Sequence, residues 1–312
     1  MDTYMTFKAY GEGADEALSA VSDEAIALDR LLSATDEGSE IWAINHSSGE
    51  PVSVSPVTME ALSSALILSK KLGGALALSL YPVTLAWGFT TGENRVPTDE
   101  EISALLPLVN DGMITLDDKR LAVFVDEGMM LDLGAFAKGF AGDRAVDILK
   151  EAGVSSALLD MGSSTVIAVG KKPDGTKWRV ALRDPESPDS YVGVIEAEDV
   201  SVSTSGGFER YFTAEDGTRY CHIIDPETGR PAESGLLSVT VISKSALYGD
   251  ALSTALFVMG ADKAISLWLD ARDFEFIMIT EDGLLVSPGA AELFTPAEGC
   301  GGERMRIVGS EE

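Results

Sequence analysis

From Ser156 to Thr213 the chain reads SALLDMGSSTVIAVGKKPDGTKWRVALRDPESPDSYVGVIEAEDVSVSTSGGFERYFT. Several short strands fit in this stretch, separated by turn signals such as Pro173-Asp174-Gly175 and Asp184-Pro185. Proline sets the backbone for a turn, and glycine supplies the conformation that closes it. Outward from this block, helices and strands alternate irregularly. Upstream, Thr3 to Ala9 reads as a strand. A helix from about Gly13 to Ser33 follows, with Leu18, Val21, Ala25, Leu28 and Leu32 at steps of three and four. Ser55 caps a helix that has Pro56 at its first position and carries Met59, Leu62 and Leu66. Thr98 and Glu101 form a capping box for a helix ending near Pro107. Leu121 to Val125 reads as a strand, and a helix over 135–152 stops at Gly153. Downstream, the strand Leu236 to Ile242 runs into a helix from Leu247 to Met259, closed by Gly260. A helix over Ala264 to Leu269 and strands near Phe274 to Ile279 and Leu284 to Ser287 complete the series. This order lacks the regular alternation of a doubly wound sheet, so the expected class is α+β with largely antiparallel sheets. Residues 1–312 are expected to form one domain, or two intimately packed subdomains with no readable boundary.

The composition bounds the chemistry. Fifty-one acidic against 23 basic side chains leave a formal charge of −28, which repels phosphate backbones and argues against a nucleic-acid partner. The two cysteines, Cys221 and Cys300, make no disulfide framework, and the two histidines, His46 and His222, exclude a multi-histidine metal site. Any metal must be a hard ion held by oxygen. The apolar stretch from Ala75 to Phe89 is broken by Ser79, Tyr81, Pro82 and Thr84, so no transmembrane helix is expected. Neither a secretory signal nor a lipid-anchoring cysteine is visible at the start.

Three segments carry candidate chemistry. In Leu131-Asp132-Leu133-Gly134-Ala135-Phe136-Ala137-Lys138-Gly139-Phe140, an extended run ends at glycine and a helix opens with a lysine in its first turns. Helix-start N–H groups and an ammonium suit a phosphate. The plain alternative makes Asp132 a helix cap and Lys138 a solvated residue. In Tyr248-Gly249-Asp250-Ala251-Leu252-Ser253-Thr254, Asp250 and Thr254 share one helical face, a partial shell for Mg²⁺ or simply a helix-start Asp and a Thr bonded to its own helix. In Arg219 to Pro231, His222 precedes a tight turn from Asp225-Pro226 to Gly229, where it could act as a general base or merely pack. Ser203-Thr204-Ser205-Gly206-Gly207 adds hydroxyls on a flexible backbone.

Together and in this order, the segments resemble the ApbE family, the FAD:protein FMN transferases. Met1 to Thr3 sits where the family has Met-Gly-Thr, and Leu32 to Asn45 is similar to its serine-rich segment. Pro82 to Phe89 is similar to its Gly-Pro-Leu-x-x-x-Trp-Gly-Phe segment, and Leu131 to Asp143 to Asp-Leu-Gly-Gly-x-Ala-Lys-Gly-Tyr-x-x-Asp. Tyr220 to Pro231, with its His-x-Ile-Asp-Pro-x-Thr-Gly-x-Pro string, is the most specific match, followed by Val239 to Leu256. The resemblance implies that Asp250 and Thr254 bind Mg²⁺, with the Ser253 region and the carbonyl near Ala135. It implies FAD contacts at Met1, Thr35, Ala75, Leu76, Ala77, Asp132, Lys138, His222 and Ile223. A Thr or Ser hydroxyl of an acceptor protein would attack the FMN-side phosphorus, AMP would leave, and His222 or Asp250 would accept the proton.

The resemblance also implies an extracytoplasmic place at the cell envelope, with membrane electron-transfer subunits as acceptors. Departures from the family pattern fall on the flavin side. An expected Asp is Ala77, Tyr81 stands where glycine is common, and Ser163 replaces the second glycine of a pair. Gly207 replaces an Asp, and Thr35 stands where tyrosine is common. Two other readings use the same residues: an FAD pyrophosphatase giving FMN and AMP, and a flavin-binding protein with little catalysis.

Overall fold

The structure is a computed structural model that describes residues 3–187, 189–298 and 304–309. The chain divides into two compact units, one built from Ile26–Ala137 and Arg210–Ala232, the other from Asp2–Ala25, Lys138–Glu209 and Glu233–Glu312.

The second unit is organised by an eight-stranded sheet. Its strands run in the order Thr6–Tyr10, Ser156–Asp160, Thr165–Gly170, Val200–Gly206, Leu236–Ser243, Glu275–Thr280, Gly283–Val286 and Met305–Ile307. Every neighbouring pair is antiparallel except the last. The expected α+β class with mainly antiparallel pairing is what forms. In the central strands, side chains alternate between two different layers, as strand geometry requires. Val202 and Ile242 face a small sheet of Trp178–Arg183, Tyr191–Ala197 and Phe294–Pro296, in a cluster with Trp178, Leu182, Ile195 and Ile277. On the other face the helix Ala246–Met259 packs over Val200–Gly206 and Leu236–Ser243.

That helix is fixed at both ends. Ser245 accepts the Tyr248 N–H as N-cap, and Gly260 closes the last turn. Asp143 reinforces the start, its carboxylate taking the N–H groups of Ala246 (2.6 Å) and Leu247 (3.2 Å) and the Ser245 hydroxyl (2.7 Å). Asp143 belongs to the helix Ala137–Glu151, which crosses close by. A Cβ on its Gly139 would lie 2.5 Å from the Ala246 carbonyl oxygen.

The first unit holds the helices Glu40–Asn45, Pro56–Lys71, Tyr81–Trp87 and Asp99–Leu105, a three-stranded sheet, and the hairpins Tyr211–Thr213/Arg219–Cys221 and Ile224–Asp225/Arg230–Pro231. Val83, Trp87, Ile102 and Ile224 form its aromatic-rich core with Phe89, Phe212 and Tyr220. The Trp87 Nε1–H donates to the Gly229 carbonyl at 2.9 Å, anchoring the turn that follows His222. The Ser55 cap and the Thr98–Glu101 capping box are present. The latter helix stops at Leu105 and tightens into a 3-10 turn, Leu106–Leu108, because Pro107 has no N–H to continue the ladder. The helices Glu40–Asn45 and Pro288–Leu293 have no counterpart in the sequence reading: six residues are too few for a 3.6-residue period to register. No helix among the described residues is long and apolar enough to cross a membrane.

Candidate active site

In the second unit Asp250 and Thr254 stand one helical turn apart on Ala246–Met259. Asp250 is 4% exposed, yet its carboxylate is well supplied with donors. Oδ2 accepts the Gly139 N–H at 2.9 Å and Oδ1 accepts the Thr165 hydroxyl at 3.1 Å. A carboxylate offers about four lone-pair sites, so these two bonds orient it without exhausting it. Thr165 also lies 3.2 Å from Ser203 Oγ, and Ser203 Oγ lies 3.1 Å from Ser201 Oγ. The helix can approach this polar strand because residue 249 is glycine: a Cβ there would lie 2.8 Å from Ser243 Oγ and 3.0 Å from Ser203 Oγ. Ser205 Oγ sits between Ser253 Oγ (2.8 Å) and Thr254 Oγ1 (2.9 Å). Ser253 is fully buried and also reaches the Asp250 carbonyl at 3.0 Å; Thr254 is half-buried and lies 3.5 Å from the same oxygen.

The result is one carboxylate within a cluster of hydroxyls. Nothing local in the sequence ties Thr165 or Ser201 to Asp250. The signal that finds them is the period-two run Ser201, Ser203, Ser205, a polar face on a strand covered by a helix. No group of three or more His, Cys, Asp or Glu that could hold a metal occurs among the described residues. Lys138, also in this unit, lies half-buried in the first turn of Ala137–Glu151.

The first unit carries the remaining candidates. Asp132 does not cap that helix, which starts five residues later. Its Oδ1 accepts the Gly134 N–H at 3.0 Å in a local turn, and its own N–H donates to the Leu78 carbonyl at 2.8 Å. This second bond ties Asp132 to the chain just after Ala75, Leu76 and Ala77, of which Leu76 is buried and the alanines half-buried. Asn45 holds the same region from another side: its Oδ1 accepts the Leu131 N–H at 2.6 Å and its Nδ2 donates to the Leu131 carbonyl at 2.9 Å. Tyr81, buried nearby, has its phenol pKa raised from 10.0, first by burial and also by the charge of Asp132, with a hydrogen bond to Thr90 acting against both. Ala135 is half-buried, and Thr35 is exposed with its hydroxyl 3.2 Å from Ser33 Oγ.

His222 is half-buried between the two hairpins, and Ile223 beside it is buried. Its N–H donates to the Arg210 carbonyl at 3.0 Å, and Nδ1 lies 3.1 Å from the same oxygen. A carbonyl can only accept, so Nδ1 is the donor in this contact. Met1 lies outside the described residues.

The fold is thus a two-unit α+β one, with an oriented carboxylate among hydroxyls in one unit and a histidine bonded to a backbone carbonyl in the other. Comparison with known proteins is specific. The sequence model of the ApbE family matches residues 1–278. The FAD:protein FMN transferase of Vibrio cholerae serotype O1 is 34% identical over 275 residues, 86% of this chain and 79% of that one. That of Klebsiella pneumoniae is 34% identical over 280 residues, 88% and 86% of the two chains. Among solved structures, the ApbE protein of Thermotoga maritima superposes with a TM-score of 0.82 at 30% identity, covering 95% of this chain and 94% of its own. The flavin transferase ApbE of Vibrio cholerae gives 0.79 at 28% identity, covering 96% and 95%. The chain belongs to the ApbE family.

Proposed function

We propose that this chain moves the FMN half of FAD onto a Thr or Ser hydroxyl of an acceptor protein and releases AMP. The observation that carries the reading is the oriented Asp250 carboxylate with Thr254 one turn away, in a chain whose relatives are FAD:protein FMN transferases. One carboxylate with hydroxyl and carbonyl oxygens is a donor set that fits Mg²⁺, which keeps sites for water and phosphate. Asp250 and Thr254 would hold the ion, with Ser253 and the Ala135 carbonyl as the further candidates. When bound, such an ion neutralises charge on the phosphoryl oxygens.

The chain's own groups do the rest. Lys138 offers an ammonium to the pyrophosphate as a point charge. His222 Nε2 accepts the proton of the acceptor hydroxyl as its oxygen bonds to the FMN-side phosphorus. The bond from that phosphorus to the bridging oxygen breaks, and AMP leaves with the electron pair. Asp250 is the weaker candidate for base, since its remaining lone pairs are the ones that would hold the ion. Asp132, Thr35, Ala75, Leu76, Ala77 and Ile223 would contact FAD. An extracytoplasmic acceptor among the subunits of membrane electron-transfer complexes, with its hydroxyl on an accessible flexible segment, suits the resemblance.

The test incubates the chain with FAD, an acceptor bearing an accessible Thr, and either Mg²⁺ or EDTA. The expected outcome is one FMN mass on the Thr peptide with AMP in equal amount, in the Mg²⁺ arm only. AMP appearing at the same rate with a Thr→Ala acceptor, and no peptide gaining mass, would establish the pyrophosphatase instead. FAD binding without any AMP would leave a flavin-binding protein.

Two variants separate the roles within the site. Lys138→Ala should weaken FAD binding about tenfold, the loss of one charge-assisted contact, with Mg²⁺ dependence retained. His222→Ala should lower turnover by roughly 10²–10⁴ with FAD still bound. Flavin fluorescence titration and AMP release read the two effects, and the reverse pattern would exchange the assignments.

A further inference from the structure

Ala77 occupies the N-cap of the 3-10 turn Leu78–Leu80, with extended backbone (φ −138°, ψ 131°) and no side chain to accept a hydrogen bond. The resemblance expects an Asp at this position, where a carboxylate would cap the turn. The carboxylate is present, but it comes from elsewhere in the chain. Asp111 Oδ2 accepts the Leu78 N–H at 3.0 Å, and Oδ1 accepts the Ser79 N–H at 2.9 Å and the Ser79 hydroxyl at 2.7 Å. Ser69 Oγ, near the end of the helix Pro56–Lys71, lies 2.6 Å from Asp111 Oδ2 and 3.0 Å from the Leu76 carbonyl, one hydrogen facing two acceptors. Asp111 is itself set in a short turn, where Asn110 Oδ1 accepts the Gly112 N–H at 3.1 Å.

Leu78 therefore gives its N–H to Asp111 and its carbonyl to the N–H of Asp132, at 2.8 Å. One residue joins the clamp to both segments assigned to FAD, Ala75–Ala77 and Asp132.

We propose that Asp111 is a positioning residue for FAD: it clamps the turn Leu76–Ser79 and so fixes the backbone of Ala75–Ala77 and of Asp132. This rests on the FAD-dependent reading above. A clamp of this kind acts on the ground-state complex and the transition state alike, so its loss raises KM more than it lowers kcat. Ala77 offers the turn no capping side chain, and Asp111 supplies the carboxylate instead.

The test uses the full chain, with flavin fluorescence for FAD affinity and AMP release for kcat and KM. Asp111→Ala should raise the Kd and KM for FAD about tenfold, with kcat falling far less, as for a lost charged cap that organises a binding segment. The double variant Ala77→Asp/Asp111→Ala should recover most of the affinity, because an N-cap Asp can take the Ser79 or Leu80 N–H. A merely structural role would lower the unfolding midpoint without this split or this rescue. If Asp111→Ala does not fold, Asp111→Asn carries the test, since it keeps an acceptor and removes the charge. Unchanged FAD affinity in a folded variant, a fall in kcat with KM unmoved, or no rescue in the double variant would each overturn the clamp alone. A parent chain that neither binds FAD nor releases AMP would overturn the flavin reading and this proposal with it.

Discussion

Asp250→Ala should lower FAD-dependent AMP release about a thousandfold, the scale of the ~4 kcal/mol of transition-state stabilisation that the proposed metal site would supply. The substitution removes the carboxylate at the heart of the hydroxyl cluster, and neutral oxygens alone hold a hard cation poorly. It also leaves the Gly139 N–H and the Thr165 hydroxyl without their acceptor. Each buried donor stranded in this way costs about 1–3 kcal/mol, so a lower unfolding midpoint accompanies the loss. The two effects separate at a temperature where the variant is fully folded by circular dichroism. A folded Asp250→Ala that releases AMP at the parental rate would show that the catalytic centre lies elsewhere.

Gly139→Ala should destabilise the fold by ~3 kcal/mol, the upper part of the usual range for overpacking. The added methyl would lie 2.5 Å from the Ala246 carbonyl oxygen and 2.6 Å from Leu247 Cα. These are backbone atoms at the start of a capped helix and cannot swing aside as a long side chain would. The helices Ala137–Glu151 and Ala246–Met259 must part, which strains the Asp143 cap and stretches the bond from Gly139 to Asp250. Denaturant unfolding should therefore shift to a lower midpoint, and activity should fall even in the folded fraction. Parental stability would mean that the two helices tolerate a wider crossing than the contact distances imply.

Much of this architecture is legible in the sequence, and the reasons are local. The Ser55 and Thr98 caps, the Gly153 and Gly260 stops and the turns at Pro173-Asp174-Gly175 act over a few residues. Such signals survive in a single chain read end to end. The Asp250–Thr254 pair is legible for the same reason, since four residues on a helix is a face. What escapes is what distant segments do for each other. Asn45 holds Leu131 across 86 residues, Thr165 meets Asp250 across 85, and Ser79 finds Asp111 across 32. Each is a polar side chain whose partner is decided by topology, and no periodicity announces it. Asp132 shows the same limit from the other side. Its position before a helix suggests a cap, but the chain makes a turn through Gly134 first and the helix begins at Ala137. Ala77 reads in the sequence as a turn start without an acceptor, and only the fold shows that Asp111 accepts the N–H groups of Leu78 and Ser79.

The serine and threonine oxygens around Asp250 have one further consequence. In the pairs Ser201–Ser203, Ser205–Ser253 and Ser205–Thr254, either oxygen can be the donor. A hydroxyl reverses its dipole by rotating one hydrogen about the C–O bond, while every carbon and oxygen stays in place. When charge enters or leaves such a cluster, its polarity can invert without any heavy atom travelling. The protein interior here works as a small fixed solvent whose molecules turn but do not diffuse. If the phosphoryl chemistry proposed for this site runs beside Asp250, these hydroxyls would follow the charge by turning hydrogens rather than by moving heavy atoms.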